Sequence, residues 1–111
     1  MRITKADIRA FKRASRRESR KTWLTVARFL AEFSIRESQS QHWPDRRAEM
    51  AGLFRQLAGM RRVCKIAPAD ADPILSELRT LAEAEPEAIA ASVAGVRAIL
   101  ATISAELEEA Q

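Results

Sequence analysis

Large apolar residues recur every three or four positions along most of this chain, and the repeat is clearest near the carboxyl end. The residues that share one phase there are Ile89, Val93, Val96, Leu100, Ile103 and Leu107. This spacing keeps a single stripe of a helix turned toward a partner surface. We expect the stripe to pack within the chain, because fewer than three heptads is short for a free-standing coiled coil. Self-association of two copies through the same stripe, giving a homodimer, is the alternative.

Capping residues and prolines divide the rest of the pattern into helices. Thr4 and Asp7 have the spacing of a capping box, and Asp72 followed by Pro73 is typical of a helix start. The predicted helices span about residues 5–14, 16–37, 45–65, 73–84 and 86–109. No stretch has the alternating pattern of a strand. The sequence therefore predicts an all-α fold, a small bundle of four to five helices in a single domain covering residues 1–111.

The first two predicted helices meet in a region whose pattern supports two interpretations. Ser15 and Glu18 repeat the capping-box spacing, which favours a new helix start. The phase of threes and fours nevertheless continues from Ile8 to Phe33, as it would in one helix. One helix of this length would be about 50 Å long, more than a domain of this size usually contains. We therefore expect a break or hinge near residues 15–21.

Composition adds a cellular setting to this picture. A hydrophobic content of 47% with 31% charged residues is typical of a globular domain. Cys64 is the only cysteine, so the chain has no internal disulfide and no cysteine-based zinc site. The charged start of the chain does not resemble a signal peptide, and we find no apolar run near the length that spans a bilayer. These features predict a soluble, cytoplasmic protein.

Charge is distributed unevenly between the two halves of the chain. Residues 1–65 contain 17 of the 19 Lys and Arg against six acids, a net charge of +11. Residues 66–111 contain two cations against nine acids, a net charge of −7. Such asymmetry indicates a basic contact surface in the first half. Alternatively, the two halves neutralise each other across the fold.

The densest positive charge lies in segment 2–21, an amphipathic helical segment that can project from the domain. Its cations are Arg2, Lys5, Arg9, Lys12, Arg13, Arg16, Arg17, Arg20 and Lys21. Such a helix binds nucleic-acid phosphates without any base-specific pattern, because binding releases condensed counterions. Arg46 and Arg47 in the next basic helix would extend the contact surface. Trp43 either stacks on a partner or covers the edge of the core.

These residues support two functional hypotheses. The first is a non-enzymatic accessory or regulatory protein that binds the phosphate backbone of nucleic acid through its basic N-terminal helix. The second is an adaptor or inhibitor that binds an oppositely charged protein through the basic helix or through the acidic half. A membrane partner is not expected, because the basic helix offers only Ile8 and Phe11 for insertion.

Residues that could support catalysis are few and scattered. His42 is the only histidine, and no nearby Cys, Asp and Glu cluster has metal-ligand spacing. Cys64 lies on an apolar helical face, where a small buried side chain is the simpler interpretation. No phosphate-binding glycine loop or nucleophile motif is present. We therefore predict no enzymatic activity, no metal and no cofactor.

Overall fold

Four helices run up and down the length of the bundle in the computed structural model, which describes residues 3–109. They are α1 (Lys5–Ser38), α2 (Trp43–Val63), α3 (Pro68–Glu83) and α4 (Ile89–Glu109). A single 3-10 turn, Pro86–Ala88, precedes α4. Each helix packs against its neighbours in the chain, and α4 returns to pack against α1. The prediction of an all-α bundle is confirmed, and the described residues contain no strand.

α1 is continuous, so the predicted break near residues 15–21 is wrong. The helix begins at the predicted capping box, in which the Asp7 N–H donates to Thr4 Oγ1 at 3.1 Å and the Thr4 N–H donates to Asp7 Oδ2 at 3.0 Å. At the expected break the Thr22 hydroxyl instead donates to the Glu18 carbonyl at 2.9 Å. The polar side chain of Thr22 therefore bonds to the helix backbone. The backbone hydrogen bonds of α1 continue through this region although it has no large apolar residues.

α3 begins five residues earlier than predicted, at Pro68 rather than Pro73. Asp72 favours a helix start at Pro73, whereas Ala67 before Pro68 provides no side-chain cap, so the local pattern predicts the wrong start. The earlier start buries Ala71 and places Asp70 in the first turn, where an acid is favoured near the positive end of a helix. Pro73 then lies inside the helix and removes one backbone hydrogen bond near its start.

The core lies between the four helices and centres on Trp23, which is fully buried. Its indole N–H donates to the Leu57 carbonyl at 2.9 Å and so connects α1 to α2. Apolar residues of all four helices complete the core, including Leu78, Leu81, Val96 and Ile103. Because the indole has both an apolar environment and an acceptor, its burial leaves no polar group unsatisfied.

The apolar stripe of α4 is used within the chain. Val93, Val96, Ile103 and Leu107 are buried, while Ile89 and Leu100 are partly buried against the core. α4 contacts both α1 and α3 along this stripe. These six side chains are buried or partly buried within the bundle, so the structure uses for its own core the stripe that a homodimer would need.

α4 is more hydrophobic than the sequence pattern indicated. The segment Pro86–Glu109 has a mean hydropathy of 1.7 in its most apolar window, and by length and composition it could cross a membrane. The expectation that no apolar run reaches this length is corrected accordingly. Only 22% of this window is buried, and much of the remainder is alanine exposed on the outer side of the helix.

Candidate functional site

The first turns of α1 project beyond the bundle as a helical arm, which we define as residues 3–18. Every side chain in the arm is exposed, and the first fully buried side chain of α1 is Trp23. The described chain measures 62 × 24 × 20 Å, in keeping with a helix that extends past its neighbours. The arm therefore contributes no side chain to the core, and its whole surface is exposed to solvent.

Six cations lie on the arm, and none of them pairs with an acid among residues 3–109. They are Lys5, Arg9, Lys12, Arg13, Arg16 and Arg17. The arm contains two acids, Asp7 and Glu18, of which Asp7 is engaged in the capping box. Because the cations are solvated and free of carboxylates, their charge is available to a partner. Arg2, also predicted as a contact, lies outside the described residues.

Arg20 differs from the arm cations because it connects α1 to α3 and α4. Its guanidinium donates to Asp70 Oδ2 of α3 at 3.1 Å and to Glu106 Oε2 of α4 at 2.7 Å. Partial burial disfavours the charged guanidinium, but the two carboxylates outweigh that effect and raise the pKa of Arg20. Its charge is thus compensated within the chain. Lys21, the last cation of the predicted segment, is half-buried beside it.

The predicted extension of the basic surface to the start of α2 is not formed. Arg46 Nε lies 3.7 Å from Glu37 Oε2, and Arg47 donates to the Ala82 carbonyl at 3.0 Å. Trp43 is only 2% exposed, so the structure places it in the core rather than on a contact surface. All three residues lie next to the carboxyl end of α1, about 30 Å along the helix from the arm. They do not join the arm in one surface.

The cation that does approach the arm is Lys65, which the sequence pattern did not select. Together with Val63 and Cys64 it lines a shallow cleft of about 280 Å³ at the foot of the arm, opposite Phe11, Lys12 and Arg16. Lys65 has a φ of 56°, a left-handed conformation that turns the chain out of α2. A cation just past a helix end is a weak sequence signal, and its approach to the arm depends on how α2 packs against α1.

The remaining reactive residues do not converge. His42 is exposed at the start of α2 with no side-chain capping bond, while Cys64 lies at the far end of that helix. Among residues 3–109, no three His, Cys, Asp or Glu side chains are grouped closely enough to hold a metal ion. A groove of about 660 Å³ between α2 and α3 is lined by neither His42 nor Cys64.

Comparison with known proteins finds no matching family model, no matching curated protein and no matching solved structure.

Proposed function

We propose that this protein is a non-enzymatic, nucleic-acid-associated accessory or regulatory protein whose arm contacts the phosphate backbone. One observation supports the proposal above all others. Six cations, without acidic partners among residues 3–109, lie on an arm that adds no buried side chain to the core. The arm adds no packing to the folded domain, but its six cations can contact up to six phosphates of a polyanion.

The chemistry of the arm favours the backbone over the bases. Each cation that neutralises a phosphate releases a condensed counterion, so affinity depends on the number of contacts and on salt. Lys12, Arg16 and Lys65 bring positive charge from two helices to the cleft at the foot of the arm. Arginine and lysine contacts to phosphate carry no sequence information, so the proposed binding is largely independent of sequence.

Equilibrium binding of mixed-sequence double-stranded DNA over a salt series tests this proposal. With six phosphate contacts, the logarithm of the association constant should fall with the logarithm of salt concentration with a slope of about −5. Replacing Arg13, Arg16 and Arg17 together by alanine should bring the slope to about −3 and weaken binding by one to three orders of magnitude at low salt. Fluorescence anisotropy measures both quantities.

A matched triple variant controls for the loss of charge. Arg55, Arg79 and Arg97 are exposed arginines of the bundle that form no ion pair within residues 3–109. Their replacement by alanine removes the same charge and should leave most of the affinity and the slope unchanged. Arg20 is unsuitable for either variant, because its loss would disturb three helices. Binding that is insensitive to salt, or equally weakened by both triple variants, would contradict the proposal.

The adaptor hypothesis makes a different prediction for the same variants. If the arm binds an acidic protein, capture from the native host should recover a stoichiometric protein that survives nuclease treatment. Loss of the captured proteins after nuclease treatment supports the nucleic-acid proposal instead.

A further inference from the structure

α1 has a second apolar face that the bundle covers only in part, since its Val26 and Phe33 pack against the edge of the core while Ile8, Phe11 and Phe29 are exposed. Five large hydrophobic side chains are exposed among residues 3–109, namely Ile3 (75%), Ile8 (46%), Phe11 (74%), Phe29 (62%) and Val63 (82%). Three of them lie on α1, and Val63 lines the cleft beside Phe11. Phe29 also stacks on the partly buried Phe33, with ring centroids 6.1 Å apart. Ile8 and Phe11 lie near one end of this face and Phe29 near the other, about 27 Å away along the helix.

These α1 residues follow a heptad repeat distinct from the one that faces the core. The outer face, as we define it, consists of Ile8, Phe11, Ser15, Glu18, Thr22, Val26, Phe29 and Phe33. Their spacing averages about 3.5 residues, which keeps them on one side of a helix for the whole of its length. The core-facing residues of α1, such as Trp23 and Ala27, lie in a different phase.

The outer face is close to symmetric about the middle of α1. Phe11 lies nine residues before Arg20 and Phe29 nine residues after it, while Ile8 and Phe33 lie twelve before and thirteen after. Two antiparallel copies would therefore place Phe11 against Phe29 and Ile8 against Phe33 of the other copy. Such an interface is isologous, with the same patch contributed twice.

The charges beside the outer face favour the same antiparallel register. In the register that places Phe11 opposite Phe29, Glu18 lies within one residue of the position opposite Lys21 of the other copy, Lys5 within two of Glu37 and Asp7 within three of Arg36. In antiparallel pairs the same flank of each helix meets, and these oppositely charged residues lie on matching flanks. A parallel pair would instead place Glu18 of one copy against Glu18 of the other, which is unfavourable.

We propose that two copies of this chain associate through the outer faces of their α1 helices in antiparallel orientation. Each arm then lies along the second half of α1 of the other copy, so that its exposed Ile8 and Phe11 are covered by Phe33 and Phe29. Most of the arm cations lie off this face and stay available. The proposal therefore stands independently of nucleic-acid binding, and it uses none of the α4 stripe.

Solution mass tests the pairing. Sedimentation equilibrium of the wild-type chain at micromolar to millimolar concentration should give twice the chain mass of 12.4 kDa. Phe11→Asp and Phe29→Asp should each return the mass to 12.4 kDa, because each places a carboxylate in an apolar layer. Both side chains are exposed in the single chain, so neither substitution should reduce its helix content. Ala10→Asp adds the same charge on another side of the arm and should leave the dimer intact.

Mixing two charge variants tests the antiparallel register. Glu18→Lys and Lys21→Glu each place like charges opposite one another in a homodimer and should associate more weakly than wild type. An equimolar mixture restores opposite charges at both contacts, so the dimer should reappear on mixing. If Glu18 and Lys21 interacted only within their own helix, mixing the two variants would restore nothing, because each chain would keep its like charges.

Three outcomes would overturn the proposal. They are a wild-type chain that stays monomeric throughout the concentration range, a dimer that survives either Phe11→Asp or Phe29→Asp, and a mixture of the charge variants that associates no better than its components. Each can occur whether or not the arm binds nucleic acid.

Discussion

Trp23 and Trp43 are both buried, but among the described residues only Trp23 has an acceptor for its indole N–H. Replacing either residue by phenylalanine removes a similar volume, so the difference between the two variants isolates the hydrogen bond. Trp23→Phe also leaves α1 without its bond to the Leu57 carbonyl, whereas Trp43→Phe removes an unpaired buried donor. We expect Trp23→Phe to be more destabilising by about 1–2 kcal/mol, measured by urea unfolding.

Equal destabilisation by the two tryptophan variants would show that the Trp23 hydrogen bond adds no net stability. The same comparison illustrates what single-residue reasoning can predict. Trp23 lies seven residues before Leu30, a spacing that places both on one face of a helix, and both are buried. Trp43 follows a loop without periodicity, so the sequence does not distinguish a position at the edge of the core from an exposed contact position. The packing of α2 in the bundle determines which of the two it has. Arg20 likewise resembles its neighbours in sequence, and only the approach of Asp70 and Glu106 distinguishes it.

At the scale of the single helix, the start of α1 is predicted to depend on pH through Asp7. The Thr4 backbone N–H, followed by the Thr4 hydroxyl, lowers the pKa of Asp7 below its ordinary value of 3.8. A lowered pKa in the folded state means that the stabilisation is present above pH 3.8 and is lost as the pH falls through the folded-state pKa. We therefore expect the first turn of the arm to fray below about pH 3.8, seen in the Cα chemical shifts of residues 5–9.

Two variants separate this capping effect from general acid unfolding. Asp7→Asn should remove the acid transition from residues 5–9, while Thr4→Ala should fray the same turn at every pH. Signals from the second half of α1 should stay unchanged in both variants at neutral pH. Identical acid transitions in wild type and Asp7→Asn would rule out Asp7 as the cause.

Helices were predictable to the extent that their boundaries depend on local chemistry. The capping box at Thr4 gave the start of α1, and the spacing of apolar residues gave the helical class. The predicted break near residues 15–21 is wrong because the capping-box spacing of Ser15 and Glu18 lies within a continuous helix, and because α1 extends past the bundle and so exceeds the usual length for a domain of this size. The local signal favours Pro73, which follows the capping residue Asp72, but the start at Pro68 buries Ala71 and brings Asp70 to Arg20.

At the scale of the whole molecule, the opposite charges of the two halves neutralise each other in only one place among residues 3–109. Arg20 pairs with two acids of the second half, whereas the remaining ion pair, Arg46 with Glu37, lies within the first half. Composition shows the charge asymmetry between the halves but not which charges pair, because pairing depends on which cations the packing of the helices brings next to acids. The arm cations lie beyond that reach, so the molecule keeps a basic projection at one end of a folded bundle.

This separation of arm and bundle predicts that the chain folds without the arm. Deletion of residues 1–17 removes no buried side chain that the structure describes, so the thermal midpoint should change by less than about 4 °C. The full-length and shortened chains are both compared as Phe29→Asp variants, so that the proposed self-association does not add to the stability of either. The shortened chain should also bind DNA with most of its salt dependence lost, since the deletion removes Arg2 and all six cations of the arm. Loss of cooperative unfolding in differential scanning calorimetry would show instead that the arm helps to form the bundle.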